Sequence, residues 1–280
     1  MSMTRPDAIP IGRSGEPALQ IARRCAQEAG RIALDRFRQP HEITVKGRGD
    51  LLTEADLAVE RFLHRAIAEE FPGHGMLSEE TAADAATDGW VWVVDPIGGT
   101  RNFVAGIPFF CVNIALCHNG EPAVAVTYDP VHDDAFWAER EGGTWLNGQP
   151  LRASNANTVA TSVLGIDLGY HDERGRAILQ LAHQLFPGVQ SLRVPGSAAL
   201  GLAYAACGRY DLFLHHYLYP WDIAAAILLV REAGGTITNH IGGAVGITSR
   251  TVLAGAPAAH ADFLQWQADN EANLSLPNEE

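Results

Sequence analysis

Trp90-Val91-Trp92-Val93-Val94-Asp95-Pro96-Ile97-Gly98-Gly99-Thr100-Arg101-Asn102-Phe103 is the stretch around which the chain is organised. Its β-branched and aromatic run predicts a buried strand. The strand is expected to end at Asp95-Pro96, because proline cannot donate to a central ladder. Gly98-Gly99-Thr100 can then turn sharply and present backbone N–H groups, an arrangement suited to anions. A carboxylate at a strand end beside a glycine-rich turn is consistent with a metal and a phosphate held side by side. It is equally consistent with a strand closing in an ordinary Asp-Pro turn, and the stretch alone leaves both readings open.

Upstream, Ala18 to Phe37 carries Leu19, Ile21, Ala22, Cys25, Ala29, Ile32, Ala33 and Phe37 at helical spacing, which predicts an amphipathic helix. Ile43 to Lys46 reads as a short strand leading into Gly47-Arg48-Gly49-Asp50. Thr53 is a candidate N-cap with Asp56 three residues on, close to a capping box, for a helix that Pro72-Gly73 stops. An acid in a first turn is favoured by the helix dipole, so Asp56 has a structural reason to be there regardless of function. Glu79-Glu80 follows in a loop, where paired acids are most often only solvated.

Downstream, Phe109 to His118, Pro122 to Tyr128 and Asp134 to Glu141 predict successive strands, with Gly142-Gly143 and Asn147-Gly148 as later turns. The second half alternates. Strands are expected at Ser162 to Asp167, Val189 to Val194, Tyr210 to His215, Thr236 to Thr238 and Val252 to Ala254. Helices are expected at Glu173 to Leu185, Ser197 to Cys207, Asp222 to Ala233 and Pro257 to Ala268. Gly234-Gly235 suits a left-handed helix cap. The whole reads as an α/β chain with a layered arrangement. The expected divisions are a flexible leader over 1–16, an N-terminal half over 17–155, a C-terminal half over 156–269, and an acidic tail over 270–280. Ser197 and Asp222 each stand at a strand–helix junction, where a plain N-capping role competes with anion or cation binding.

With 280 residues, 47% of them hydrophobic and 19% charged, the chain can bury a sizeable core. A net charge of −13 leaves no basic stripe for a nucleic-acid backbone. It agrees with an acidic, cation-dependent site. Cys25, Cys111, Cys117 and Cys207 form no CxxC pair, so neither a disulfide framework nor a zinc site is expected. With no signal peptide or membrane span recognised, the expectation is a soluble cytoplasmic protein.

Together these motifs resemble the inositol monophosphatase family, within the fructose-1,6-bisphosphatase-like phosphatases. Glu79-Glu80 precedes Asp95-Pro96-Ile97-Gly98-Gly99-Thr100-Arg101-Asn102-Phe103, which is similar to the family's D-P-I-D-G-T-x-N-F. Trp221-Asp222-Ile223-Ala224-Ala225-Ala226 and Glu232-Ala233-Gly234-Gly235 resemble its W-D-x-A-A and E-A-G-G. Asp50 to Asp56 matches its D-x-V-T-x-x-D segment. The likeness spans roughly residues 18 to 268. It implies an αβαβα five-layer sandwich and Mg²⁺-dependent hydrolysis of a small phosphate monoester, in the class of inositol monophosphate, histidinol phosphate or sugar phosphate. It also implies a homodimer.

By the same resemblance, Glu79, Asp95 and the Ile97 carbonyl would hold a first Mg²⁺, with Asp95 and Asp222 contributing to a second. Thr100, Glu79 and Asp56 would orient and deprotonate the attacking water. Gly99 and Thr100 would cradle the phosphate, with Lys46 nearby. Arg193, Gly196, Ser197, Ala198 and His215 would face the leaving group. Inositol-specific members tend to carry an acid at the position of His215, and a histidine does not reproduce that charge. His215 and His216 can also be read as a strand-end pair in solvent. One departure stands out: Gly98 replaces the family's second Asp, a ligand of the second metal. The expected consequence is a weakened second site and altered lithium sensitivity. The alternative is a catalytically impaired phosphate-ester-binding or regulatory member.

Overall fold

The computed structural model describes residues 8–47, 50–81 and 88–270. Arg48-Gly49 after the predicted short strand, the first seven residues of the expected leader and the tail beyond residue 270 lie outside the described residues. Residues 10–16 form a turn tied to the following helices, with Gly12 N–H donating to the Glu16 carbonyl and Arg13 N–H to the Glu70 carbonyl.

Five layers stack in the order helix, sheet, helix, sheet, helix. The outermost layer holds α1 (Ala18–Leu34) and α2 (Glu54–Glu70). α1 buries Ile21, Ala22, Cys25, Ala26, Ala29 and Ala33 along one stripe. α2 begins in the predicted capping box: the Thr53 hydroxyl accepts from the Ala55 and Asp56 N–H groups, and Asp56 accepts from the Thr53 N–H. A hairpin of β1 (Ile43–Gly47) and β2 (Asp50–Thr53) leads into it.

The large sheet has the order β3-β4-β5-β6-β7-β8-β9. Its strands are Gly75–Ser78, Trp90–Gly98, Cys111–His118, Glu121–Asp129, Asp134–Glu139, Thr144–Leu146 and Gln149–Leu151. Both faces are covered, so β4 reads as an unbroken apolar run. Trp92 and Val94 pack toward α1 and α2, while Val91 and Val93 pack toward the middle helix layer.

That middle layer is α5 (Ala198–Ala206) and α6 (Pro220–Glu232), shared by both sheets. The small sheet has the order β11-β10-β12-β14-β13 (Ser191–Arg193, Val163–Asp167, Leu212–His215, Val252–Gly255, Thr236–Thr238). Its far face is covered by α4 (Asp172–Leu185) and α7 (Pro257–Asp269), with Leu164, Ile178, Leu181, Leu253 and Phe263 in the seam.

One expectation about the strands is corrected. Pro96 does not end β4. The strand continues to Gly98 through a bulge, pairing Asp95 with Asn113 and Gly98 with Cys111, so one residue is extra on β4. The bulge is where a ladder tolerates proline, and it re-aims the residues around it. Glu79-Glu80 stands in a turn, as expected, directly after β3, a strand parallel to β4 that the sequence did not signal. The segment after Gly99 is a helix, α3 (Thr100–Ala105), bounded by Gly99 at φ 110° and Gly106 at φ 72°.

Candidate active site

The bulge, the start of α3 and the starts of α5 and α6 meet at one place, and side chains of each half lock onto the backbone of the other. The Ser197 hydroxyl donates to the Gly98 carbonyl at 2.6 Å. The Asn102 amide reaches the Phe109 and Pro195 carbonyls, each at 2.8 Å. Asn113 donates to the Trp221 carbonyl at 2.6 Å and itself accepts from Thr127. Gly99 is required here, since a Cβ would lie 3.0 Å from Ser197 Cβ and 3.3 Å from two carbonyl oxygens. Ser197 is therefore an N-cap by position only; its hydroxyl is spent on the neighbouring half. Asp222 is not the N-cap of α6 either. It stands at the third position and accepts from the Tyr219 N–H at 2.8 Å.

A cavity of about 240 Å³ opens at this junction, lined by Lys46, Glu79, Asp95, Ile97, Gly99, Thr100 and Asp222 of the predicted set. Asp50, Tyr170, Tyr219 and Trp221 complete it. Asp56 sits behind the wall at 1% exposure. The Thr100 hydroxyl is 3.0 Å from the Ile97 carbonyl and 3.4 Å from Asp56 Oδ1, so it can donate to either. Lys46 Nζ lies 3.2 Å from Glu79 and 2.9 Å from Glu80, with Asp50 at 3.5 Å. Burial works against this ammonium, but the facing Glu79, Glu80 and Asp50 carboxylates prevail and hold its pKa above the ordinary value.

The carboxylates are crowded and short of positive charge. Burial pushes Glu79 up to about 8; Lys46 opposes the shift, and Glu80, Asp222 and Asp56 add to it. Burial takes Asp222 to about 7 against the Tyr219 N–H, with Asp167 adding to the rise. Asp95 is held well above the usual carboxylate range, by burial first and then by Glu79, Asp222 and Asp56. Its Oδ1 is buried without a hydrogen-bond partner. An unpartnered carboxylate oxygen among like charges costs free energy unless a cation meets it.

The donor set is all oxygen, which suits a hard dication. Among the described residues, no three His, Cys, Asp or Glu side chains close into a ready-made cage. Mg²⁺ does not need one, since it commonly takes one or two carboxylates and fills its remaining positions with water and phosphate oxygens. The residues present fit such an ion.

A second chamber shares Gly99, Tyr170, Tyr219 and Asp222 with the first. Gly196, Ser197, Ala198 and His215, of the set expected to face a leaving group, line it. Arg193 does not. It stands exposed at the end of edge strand β11, its guanidinium turned back onto Ser191 and the Leu192 carbonyl. The arginine at the chamber is Arg101, 3.3 Å from the Gly169 carbonyl and stacked over Tyr170 at 4.3 Å.

His215 and His216 are not in solvent but 4% and 2% exposed. The sequence reading also missed Asp167, Gly169, Tyr170, Tyr217 and Tyr219. Asp167 had a usable signal, as the last residue of a predicted strand in an α/β layer, where ligands gather. The tyrosines had none beyond their nearness to Trp221-Asp222.

A family model described as "Inositol monophosphatase family" matches residues 15–273. The chain is 37% identical to inositol monophosphatase 1 of Solanum lycopersicum over 91% of this chain and 97% of that protein. It is 38% identical to Nus factor SuhB of Escherichia coli strain K12 over 86% and 92%. Among solved structures, the extragenic suppressor protein suhB of Bartonella henselae superposes with a TM-score of 0.83 at 32% identity, covering 88% of this chain and 96% of that one. With the five-layer fold, these matches make the conclusion direct: the chain belongs to the inositol monophosphatase family.

Proposed function

We propose that the protein is a Mg²⁺-dependent phosphomonoesterase for a small phosphorylated metabolite, with a second cation site weakened by Gly98. The observation that carries this reading is the buried, unpartnered Asp95 Oδ1 at the same cavity as Glu79, Ile97 and Asp222. The relative from Solanum lycopersicum, named an inositol monophosphatase, supports the reaction class.

When bound, Mg²⁺ supplies Lewis acidity toward the phosphate and lowers the pKa of a nucleophilic water. Glu79, Asp95 and the Ile97 carbonyl would hold one ion, and Asp95 with Asp222 a weaker second. Gly99 and Thr100 lie where a phosphate meets backbone N–H groups that have no partner within the helix. The Thr100 hydroxyl, within reach of buried Asp56, orients the attacking water and gives its proton a destination. Lys46 balances the acids on the other wall and favours an anionic ester. The same reading includes a homodimer, testable by sedimentation.

Gly98 favours a second reading, a phosphate-ester-binding or regulatory member with little turnover. The deciding experiment is phosphate release against Mg²⁺ concentration for the protein and Asp95→Asn. Saturable turnover abolished by Asp95→Asn supports the enzyme. Ester binding without turnover at any Mg²⁺ concentration selects the second reading.

A further inference from the structure

β12 passes into α6 through the irregular segment 216–219, whose Tyr217 and Tyr219 stand in the walls of the two cavities. The segment is a strap, pinned at several points. The Tyr217 N–H donates to His215 Nδ1 at 3.0 Å and the Tyr219 N–H to Asp222 at 2.8 Å. The Leu218 N–H donates to the Arg250 carbonyl at 2.8 Å, and the Arg250 guanidinium donates back to the Leu218 carbonyl at 3.0 Å. That guanidinium also lies over the Tyr217 and Tyr219 rings, at 5.4 and 4.9 Å.

His216 is the strap's anomaly. It is 2% exposed, and neither ring nitrogen has a hydrogen-bond partner among the described residues. A buried polar group left so costs free energy and asks for a reason. Its ring packs on His240 of the loop 239–251, with centroids 4.7 Å apart and planes at 55°. His240 is buried too, with Nδ1 2.9 Å from the Thr251 hydroxyl. The loop runs at the surface, with Ile241, Gly242 and Ala244 exposed. Two irregular segments thus bury the imidazole pair between them, and such segments are the ones that open locally.

The charged and titratable groups acting on His216 are His215 at the end of β12, His240 on the loop and Arg174 on α4. All three oppose a positive charge on the ring, burial opposes it more, and no carboxylate is among them. Asp222, the acid bonded to the strap, acts with the opposite sign. Burial raises its pKa in the closed form, so acid favours closure through that group.

We propose that the His216–His240 contact is an acid-released latch on the strap. While His216 is neutral, its ring seats 216–219 against the loop and keeps Tyr217 and Tyr219 in the cavity walls. A proton added to that ring finds cations and no acceptor, so it is accommodated only when strap and loop part and admit water. Acid therefore shifts the population toward an open form without the tyrosine wall. His216 is a positioning residue, and the inference does not rest on the phosphatase reading.

The test is amide hydrogen exchange between pH 7 and pH 5, corrected for the intrinsic pH dependence of exchange, with β4 and β5 as the reference. It needs neither substrate nor metal. The parent is compared with His216→Phe, which keeps an aromatic ring and removes the protonation site. With an ordinary histidine pKa of about 6.5 in the open form, the open population gains about 25-fold over that range through this group. The expected result is loss of protection at 216–219 about 25-fold greater in the parent than in His216→Phe, with β4 and β5 unchanged in both. Equal pH dependence in the two proteins overturns the proposal, as does a loss that the reference strands share. Should His216→Phe fail to fold, the imidazole NMR signals of the parent decide. A His216 ring that titrates near pH 6.5 while the strap amides stay protected overturns the latch. A ring that stays neutral until those amides exchange supports it.

Discussion

Restoring the missing acid with Gly98→Asp is not a simple gain of one ligand. The backbone at Gly98 is strand-like, so a side chain is conformationally allowed. The space is not free, however. A Cβ would stand 2.6 Å from Asp95 Oδ2 and 3.1 Å from Cys111 Sγ. Asp95 has taken the room that the family's second Asp would need, and it must rotate before an aspartate fits. Overpacking of a tight site costs about 1–3 kcal/mol. At roughly 2–4 °C per kcal/mol for a chain of this size, metal-free Gly98→Asp should melt about 2–12 °C below the parent. The added carboxylate also deepens the charge crowding that a dication relieves. Mg²⁺ affinity should rise at least tenfold, the lower end of what ligand-supporting groups contribute. Mg²⁺ should therefore raise the melting temperature of the variant more than that of the parent. Calorimetric titration and thermal melts with and without Mg²⁺ measure both effects. A variant that melts like the parent without metal and binds Mg²⁺ no tighter would refute the view that Asp95 occupies the vacated space.

Thr100→Ala should lower kcat by about 10²–10⁴ with little change in KM, because it removes the hydroxyl between the reacting water and Asp56; steady-state kinetics decide this. In Mg²⁺-free buffer, Glu79 rises from 4.5 to about 8 and Asp222 from 3.8 to about 7. The folded state then holds more protons than the unfolded chain across that window, so stability falls as pH rises from about 4 to 8. Mg²⁺ should cancel this trend and release protons on binding, which titration in buffers of different ionisation enthalpy detects; a metal-free melting temperature that climbs through the window contradicts it. Arg193→Ala should leave activity unchanged and stability within about 0.5 kcal/mol, whereas Arg101→Ala should raise KM, and the reverse pattern would restore Arg193 to the site.

What the sequence made legible was what neighbouring residues determine. The Thr53–Asp56 capping box, the left-handed cap at Gly234 and the strand from Trp90 each follow from a few adjacent side chains. The gathering of Glu79, Asp95, Thr100 and Asp222 could be expected through resemblance, since no spacing rule joins residues 79 and 222. Features set by pairing across the fold were not legible. The bulge at Pro96 depends on β5, which supplies one residue fewer opposite it. The Ser197 hydroxyl reads as a cap until the Gly98 carbonyl is in view. Arg193 and Arg101 are both arginines beside glycine-containing turns. Only the position of β11 at the sheet edge, with Arg193 turned away from the chamber, separates their roles.

The Ser197–Gly98 bond also bears on how such a site can evolve. Ser197 recognises a backbone carbonyl, which every amino acid possesses, and the Asn102 and Asn113 contacts likewise end on main-chain oxygens. The joint between the two halves therefore places little demand on which side chain occupies position 98. An acid placed at 98 therefore disturbs its immediate neighbours Asp95 and Cys111 and leaves the joint's own hydrogen bonds intact. A cation ligand at this position can be gained or lost at the cost of a local adjustment, with the joint between the halves left standing.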